Sequence, residues 1–216
     1  MEKQSKIESF LTDNSKNDEY VSKFYNNWAA AYEQDLANIE GGYHAHELLI
    51  SALLPNLEMF DNKIRIIDIG SGSGLLGNEI KKLGFLNIDA LDGSSSMLEE
   101  ARSKNIYVNY FHETVGLEKL VSIEDESYSC LVSSGTFVPS HLTSKHLPTL
   151  IRTVKKGGII GIIMREEFLS TCLELRDFQP ALQKMISENQ IEIITENLVE
   201  NYYNKKPGKI FIFKRL

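Results

Sequence analysis

The stretch Ile64 to Gly77 reads I-R-I-I-D-I-G-S-G-S-G-L-L-G, and an acid that answers it stands at Asp92. Ile64, Ile66, Ile67 and Ile69 form a short β-branched run that ends in glycine, the pattern of a central strand buried on both faces of a parallel sheet. After it, Gly70, Gly72 and Gly74 alternate with serines, and Leu75, Leu76, Ile80 and Leu83 follow at helical spacing, so the chain turns tightly and enters a helix. With no Cβ atoms at 70, 72 and 74 the backbone is free to lie against a ligand, and the N–H groups of the helix start face it.

Asn87 to Leu91 reads as a second strand, which delivers Asp92 to the same sheet edge as the glycine turn. A carboxylate there accepts hydrogen bonds from vicinal ribose hydroxyls. Nicotinamide dinucleotides and S-adenosylmethionine both offer such a ribose, and Gly72-x-Gly74-x-x-Gly77 satisfies the dinucleotide fingerprint by itself, so the glycines leave the cofactor open. Asp68, two residues before the first glycine, is placed to orient the turn and, directly or through water, to hold an ammonium. Asp92 opens D-G-S-S-S-M-L, in which Ser94 caps a helix carrying Met97, Leu98 and Ala101.

These two motifs resemble those of the class I S-adenosylmethionine-dependent methyltransferases, whose first motif reads as an acid, one residue, then G-x-G-x-G, and whose second reads D-x-S-x-x-M-L. The resemblance extends to Y-N-N-W-A-A-A-Y-E-Q-D at 25–35 and S-S-G-T-F-V-P-S-H at 133–141, and is greatest to the methyltransferase-like group of the Williams–Beuren region. It covers roughly residues 20 to 216. It implies an α/β, doubly wound, mostly parallel seven-stranded sheet of Rossmann-like type, closed by an antiparallel C-terminal hairpin and capped by N-terminal helices. It implies S-adenosyl-L-methionine as cofactor and S-adenosyl-L-homocysteine as product. Carried over residue by residue, the cofactor contacts are Asp68, Gly70, Ser71, Gly72, Gly74, Asp92, Gly93, Ser94, Met97, Ser133 and Ser134. Tyr25, Trp28 and Tyr32 would close over the methionine end as a lid. Many relatives place Asp or a small polar residue after the third strand to meet the adenine amino group; here that position falls on Glu113-Thr114.

At 216 residues and 42% hydrophobic composition the chain holds one sizeable core, so a single domain is expected over 20–216: a helical cap (20–55), a cofactor-binding core (64–165), and C-terminal helices with a hairpin (166–216). Residues 1–19 are polar and charged with Ile7, Phe10 and Leu11 as anchors, and are expected as a tail, either a loose helix or disordered. A net charge of −7, with lysines scattered in pairs, argues against a nucleic-acid partner. Cys130 and Cys172 form neither a disulfide framework nor a metal spacing. No segment has the length of a membrane span or the apolar core of a signal peptide, so a cytoplasmic protein without membrane or metal is expected.

Phe24, Trp28, Ala31, Tyr32 and Leu36 recur at three and four, giving one helix from Tyr20 to before Gly41; a second, from His44, is expected to stop at Pro55. As core-facing aromatics at helical spacing, these residues could also be plain packing. Ile106 to Phe111 reads as the third strand, Glu118 to Ser127 as a surface helix and loop, and Tyr128 to Val132 as the fourth strand. A sheet whose strand order reverses between the first and fourth strands binds ligand outside their carboxyl ends, which puts Ser133 to His141 at the reacting end. Lys155-Lys156-Gly157-Gly158 is expected to turn into a fifth strand, Ile159 to Met164. Residues 166–190 suggest two helices broken near Pro180, and 191–203 with 209–214 a hairpin. That hairpin disposes of Tyr202-x-x-x-Lys206 as a dehydrogenase pair, which needs a helix.

A nucleophile that carries a proton needs a base, and Tyr43, His44, His46 and His141 are the candidates, His141 first because it follows the fourth-strand motif. The reading reached is methyl transfer to an unidentified small-molecule acceptor. Its alternatives are a cofactor-binding subunit without activity and, behind that, an NAD(P)-binding oxidoreductase.

Overall fold

The computed structural model describes residues 2–216; Met1 of the expected tail lies outside the described residues. Four helices come first: α1 (Glu2–Thr12), α2 (Asp18–Trp28), α3 (Tyr32–Ala37) and α4 (Ala45–Leu57). Alternation follows, with β1 (Ile66–Ile69), α5 (Leu75–Lys82), β2 (Ile88–Asp92), α6 (Ser95–Ser103), β3 (Tyr110–His112), β4 (Tyr128–Ser134), α7 (Leu147–Thr153) and β5 (Val154–Arg165). The chain ends in α8 (Phe168–Thr171), α9 (Phe178–Ser187), β6 (Ile191–Tyr203) and β7 (Lys206–Arg215). Among the described residues one seven-stranded sheet forms in the order β3-β2-β1-β4-β5-β7-β6. It is parallel except for β7, which runs antiparallel to both β5 and β6.

The β-branched run explains why β1 is central. All four of its residues are buried, and it pairs in parallel with β2 on one side and β4 on the other. Because side chains alternate across a strand, Ile66 enters the core under α4, α5 and α6, while Ile67 and Ile69 enter the core under α7 and α9. The order reverses at β1 and β4, so both strands leave their carboxyl ends open at one crevice.

The expected tail is a helix docked on the body. Ile7 and Phe10 of α1 are buried, Phe10 lies face to face on Phe24, and Glu8 pairs with Arg165 at 2.6 Å and Lys206 at 3.2 Å. Its three apolar residues stand at i, i+3 and i+4, a stripe too narrow to show as amphipathic until its partners from β5 and β7 are present. The expected helix from Tyr20 is interrupted by a 3₁₀ turn at Ala29–Ala31, which brings both Trp28 and Tyr32 inward. Pro55 lies inside α4, and the helix continues to Leu57. Ile106 and Tyr107 are buried against the glycine turn, so the third strand starts only at Tyr110. Residues 118–127 form loop and turn with Leu120 and Ile123 buried, not a surface helix. Lys155 to Gly158 make a bulge within β5: Val154 pairs with Tyr128, and pairing resumes at Ile159 with Cys130. The break between α8 and α9 precedes Pro180, which sits in the first turn of α9. Asn204 and Lys205, both at positive φ, make a two-residue turn, so β7 starts earlier than the Pro-Gly pair suggests.

Candidate functional site

The carboxyl ends of β1, β2 and β4 and the helices α2 and α3 enclose a cavity of about 150 Å³. Gly70 and Gly72 line one wall, and both take positive φ, which only glycine adopts without strain. A Cβ built on Gly72 would meet no heavy atom within 4 Å, so that side of the turn faces open space. Gly77 serves packing instead, since a Cβ there would stand 2.4 Å from the ring of Tyr107, whose hydroxyl donates to Asp68 Oδ2 at 2.6 Å.

Asp92 lines the same cavity from the end of β2. Its Oδ2 accepts the Gly72 N–H and its Oδ1 the Ser94 N–H, each at 2.8 Å. Burial raises its pKa, and the two backbone donors oppose that rise. Ser94 caps α6 by accepting the Met97 N–H at 3.2 Å. Met97, Leu91 and Val115 give the cavity an apolar wall, with Gly93 and Thr114 beside them. Glu113 also lines it, but its carboxylate turns back to accept the N–H groups of Val121 at 2.7 Å and Ser122 at 2.9 Å. The carboxylate is therefore spent on the loop that follows.

Tyr25, Tyr32, Ser134 and His141 also line this cavity. His141 Nδ1 donates to the Pro139 carbonyl at 2.8 Å, and the ring meets Phe10 and Tyr25 edge-on, with centroids at 5.9 and 5.6 Å. Its Nε2 is buried with no hydrogen-bond partner. Burial pulls the pKa of His141 down to about 4, so the ring is a neutral acceptor at neutral pH. Burial pushes the hydroxyls of Tyr25, Tyr32 and Tyr43 upward, which keeps them protonated.

The remaining expected residues divide by location. Asp68 and Ser71 line a smaller cavity of about 30 Å³ on the other side of the glycine turn, with Tyr32, Tyr43 and His46. Burial lifts Asp68 to about 7, against the Tyr107 hydroxyl and the Gly77 N–H. Ser71 Oγ and His46 Nδ1 are buried there without partners. Trp28 lines a third cavity of about 40 Å³ and donates from Nε1 to Asp35 at 2.7 Å; it does not line the main one. Ser133 turns away, donating to the Ile69 carbonyl at 3.0 Å, and Gly74 packs against Ile106. His44 is half-buried and paired with Glu47, outside all three cavities. Asp18, Val21 and Ser22 line the main cavity and escaped the sequence reading, although they share a helical face with Tyr25. His146 lines it too, its Nδ1 committed to the Thr143 N–H, and no sequence signal marks it.

Residues 66–158 match the family model of a methyltransferase domain. The chain is 30% identical over 142 residues to human methyltransferase-like protein 27, a match spanning 66% of this chain and 56% of that protein. It is 24% identical over 172 residues to the ubiquinone biosynthesis O-methyltransferase of Rickettsia conorii, across 68% of this chain and 58% of the relative. The matches thus span a little over half the length of these curated relatives. Among solved structures, magnesium protoporphyrin IX methyltransferase from Synechocystis with bound S-adenosylmethionine superposes with a TM-score of 0.68 at 14% identity, covering 95% of this chain and all of that one. The [4+2]-cyclase SpnF superposes with a TM-score of 0.69 at 13% identity, covering 94% of this chain and 98% of the other.

Proposed function

We propose that this chain, whose residues 66–158 match the methyltransferase-domain family, is a class I S-adenosylmethionine-dependent methyltransferase that transfers a methyl group from S-adenosylmethionine to a small-molecule acceptor, releasing S-adenosylhomocysteine. One observation carries this reading. A single cavity is lined by Gly72, Asp92 and His141, and the His141 Nε2 is buried behind that lining without a hydrogen-bond partner. A cyclase shares the fold, so the fold by itself does not imply methyl transfer, and the histidine among the cavity's lining residues is what supports it.

The residues present fit the cofactor. Gly72 leaves space that any side chain would fill, and each Asp92 oxygen keeps a lone pair for a vicinal hydroxyl beyond its backbone bond. Met97, Leu91 and Val115 offer an apolar slot for a purine. In the smaller cavity Ser71, His46 and Asp68 are polar lining residues suited to an amino-acid end. When bound, the cofactor supplies an electrophilic methyl on a sulfonium.

The protein's share is orientation, dryness and proton uptake. Tyr25 and Tyr32 cover the cavity, and fixing the acceptor near attack distance supplies on the order of 7–11 kcal/mol of the barrier. His141, its tautomer fixed by Pro139, presents the Nε2 lone pair to a hydroxyl or amine proton of the acceptor. Burial makes an imidazolium there costly; uptake is tolerable because a positive charge is discharged from the cavity as the proton arrives.

Calorimetry with S-adenosylhomocysteine and with NADH is the first test. Binding of the former and not the latter is expected, and Asp92→Asn should weaken it about 10–100-fold by removing a charge-assisted acceptor. Release of S-adenosylhomocysteine with a metabolite extract then separates an enzyme from an inactive binding subunit. Tight binding of NADH instead would sink the proposal.

A further inference from the structure

The helix that carries the acid motif is fastened to the cap at both ends. Near its start, Asn26 of α2 accepts two hydrogen bonds at Oδ1, from Ser94 Oγ at 2.7 Å and from the Ser96 N–H at 3.1 Å. Just past its end, Lys104 donates to Glu33 of α3 and to the Ser73 carbonyl at 2.8 Å, while Glu33 accepts the Ser73 hydroxyl at 2.6 Å. Asn26, Glu33 and Lys104 line none of the three cavities. Yet their partners hold the cofactor carboxylate: the Ser94 N–H donates to Asp92, and Asp92 accepts the Gly72 N–H next to Ser73.

We infer that Asn26 is a positioning residue, which acts through Ser94 to aim the Asp92 carboxylate and ties the cap to the filling of the cavity. The inference rests on reading that cavity as the S-adenosylmethionine site. Its physical basis is the accounting of donors. Ser94 Oγ accepts from Met97 N–H and spends its own proton on Asn26, and the Ser96 N–H belongs to the first turn of α6, where no intrahelical acceptor exists. Without an acceptor at position 26, both donors lose their partner and the 92–96 turn comes loose from α2. Asn26 lies two residues before Trp28, so any shift of this contact moves the helix that bears the chain's single tryptophan.

The test compares wild type, Asn26→Ala and Asn26→Asp. The aspartate, in the last turn of α2, keeps an acceptor oxygen for both donors and faces the start of α6, which favours negative charge. Asn26→Ala should bind S-adenosylhomocysteine about tenfold more weakly by calorimetry, with the loss appearing in KM for the cofactor and not in kcat at saturation. Titration of wild type should change Trp28 emission, and that response should shrink in Asn26→Ala. Asn26→Asp should restore both affinity and response to within about twofold. Wild-type affinity in Asn26→Ala, a lowered melting temperature with affinity unchanged, or failure of Asn26→Asp to restore binding each overturns the inference. If Asn26→Ala does not fold, Ser96→Pro removes one donor at a first-turn position that accepts proline, and unchanged affinity there overturns it equally. If wild type itself does not bind S-adenosylhomocysteine, the reading of the site has failed and the inference falls with it.

Discussion

Gly72 separates what the fold needs from what the ligand needs. At φ +53° with no heavy atom within 4 Å of a Cβ, an alanine there meets no protein atom and bears only the left-handed backbone penalty, about 1–2 kcal/mol. In a domain of this size that lowers the melting temperature by about 2–8 °C. Gly84 is a control, with φ +91°, the same open surroundings and no part in the three cavities described. Gly84→Ala should therefore cost similar stability and leave binding untouched. Gly72→Ala should weaken S-adenosylhomocysteine binding, and Gly72→Val, which fills the space entirely, should reduce it more than about 100-fold, equivalent to about 2.7 kcal/mol. Calorimetry on the folded variants and thermal melts of the unliganded proteins provide the two readings. Normal binding by Gly72→Val would refute the claim that the open side of this turn faces the cofactor, and equal loss in Gly84→Ala would assign the effect to general softening.

Three further outcomes are expected. His141→Phe should lower kcat by about 10²–10⁴ while S-adenosylhomocysteine binding stays within a few-fold; because burial holds this histidine at about 4, the wild-type kcat/KM profile should lack a limb near 6.5, and finding one there would contradict the buried acceptor. Asp68, raised to about 7 in the fold from an ordinary 3.8, contributes stability that is full below about 3.8 and is lost as pH rises through about 7, so Asp68→Asn should flatten that decline in urea titrations; an unaltered slope would show that Asp68 titrates normally. Glu8→Ala should destabilise by about 1–3 kcal/mol through loss of the charged hydrogen bonds to buried Arg165, read as a lower melting temperature, and no change would mean that α1 is not anchored there.

The elements legible from sequence were those whose pattern is local. Ile66 to Ile69 carries its burial in its β-branched side chains, the glycine turn its backbone angles in its composition, and Asp92 its place by spacing from the turn. The antiparallel hairpin showed as two β-rich runs around Asn204. What stayed hidden depends on partners distant in sequence. The docking of α1 rests on Arg165 and Lys206, and three apolar residues within a polar segment give no sign of either. Three alanines at 29–31 favour continuous helix by propensity, and tertiary packing of Trp28 and Tyr32 overrides it with a 3₁₀ turn. Glu113 lay at the expected adenine position, but its carboxylate satisfies the loop at Val121 and Ser122. His141 was found by its place after β4; that its Nε2 is buried and unpaired is a fact of packing by Phe10 and Tyr25.

The salt bridge from Glu8 to Lys206 joins residues 198 positions apart, and the His44 N–H on the way into α4 bonds to the Tyr202 carbonyl at 3.0 Å. These two anchors of the cap lie in the last hairpin, in addition to those it makes to Arg165 and to α6. During synthesis at about 5–20 residues per second, on the order of ten seconds or more pass between the emergence of α1 and that of its counter-ions. The glycine turn and Asp92, about twenty residues apart, are paired early by short-range contacts, whereas Phe10, Phe24 and Tyr25 have neither Arg165 nor Tyr202 to fold against. Over that interval the growing chain lacks part of what holds its aromatic cap, so its vulnerability to misassembly falls before release, and a ribosome stalled within β6 holds a chain with a formed glycine turn and a cap without its hairpin contacts.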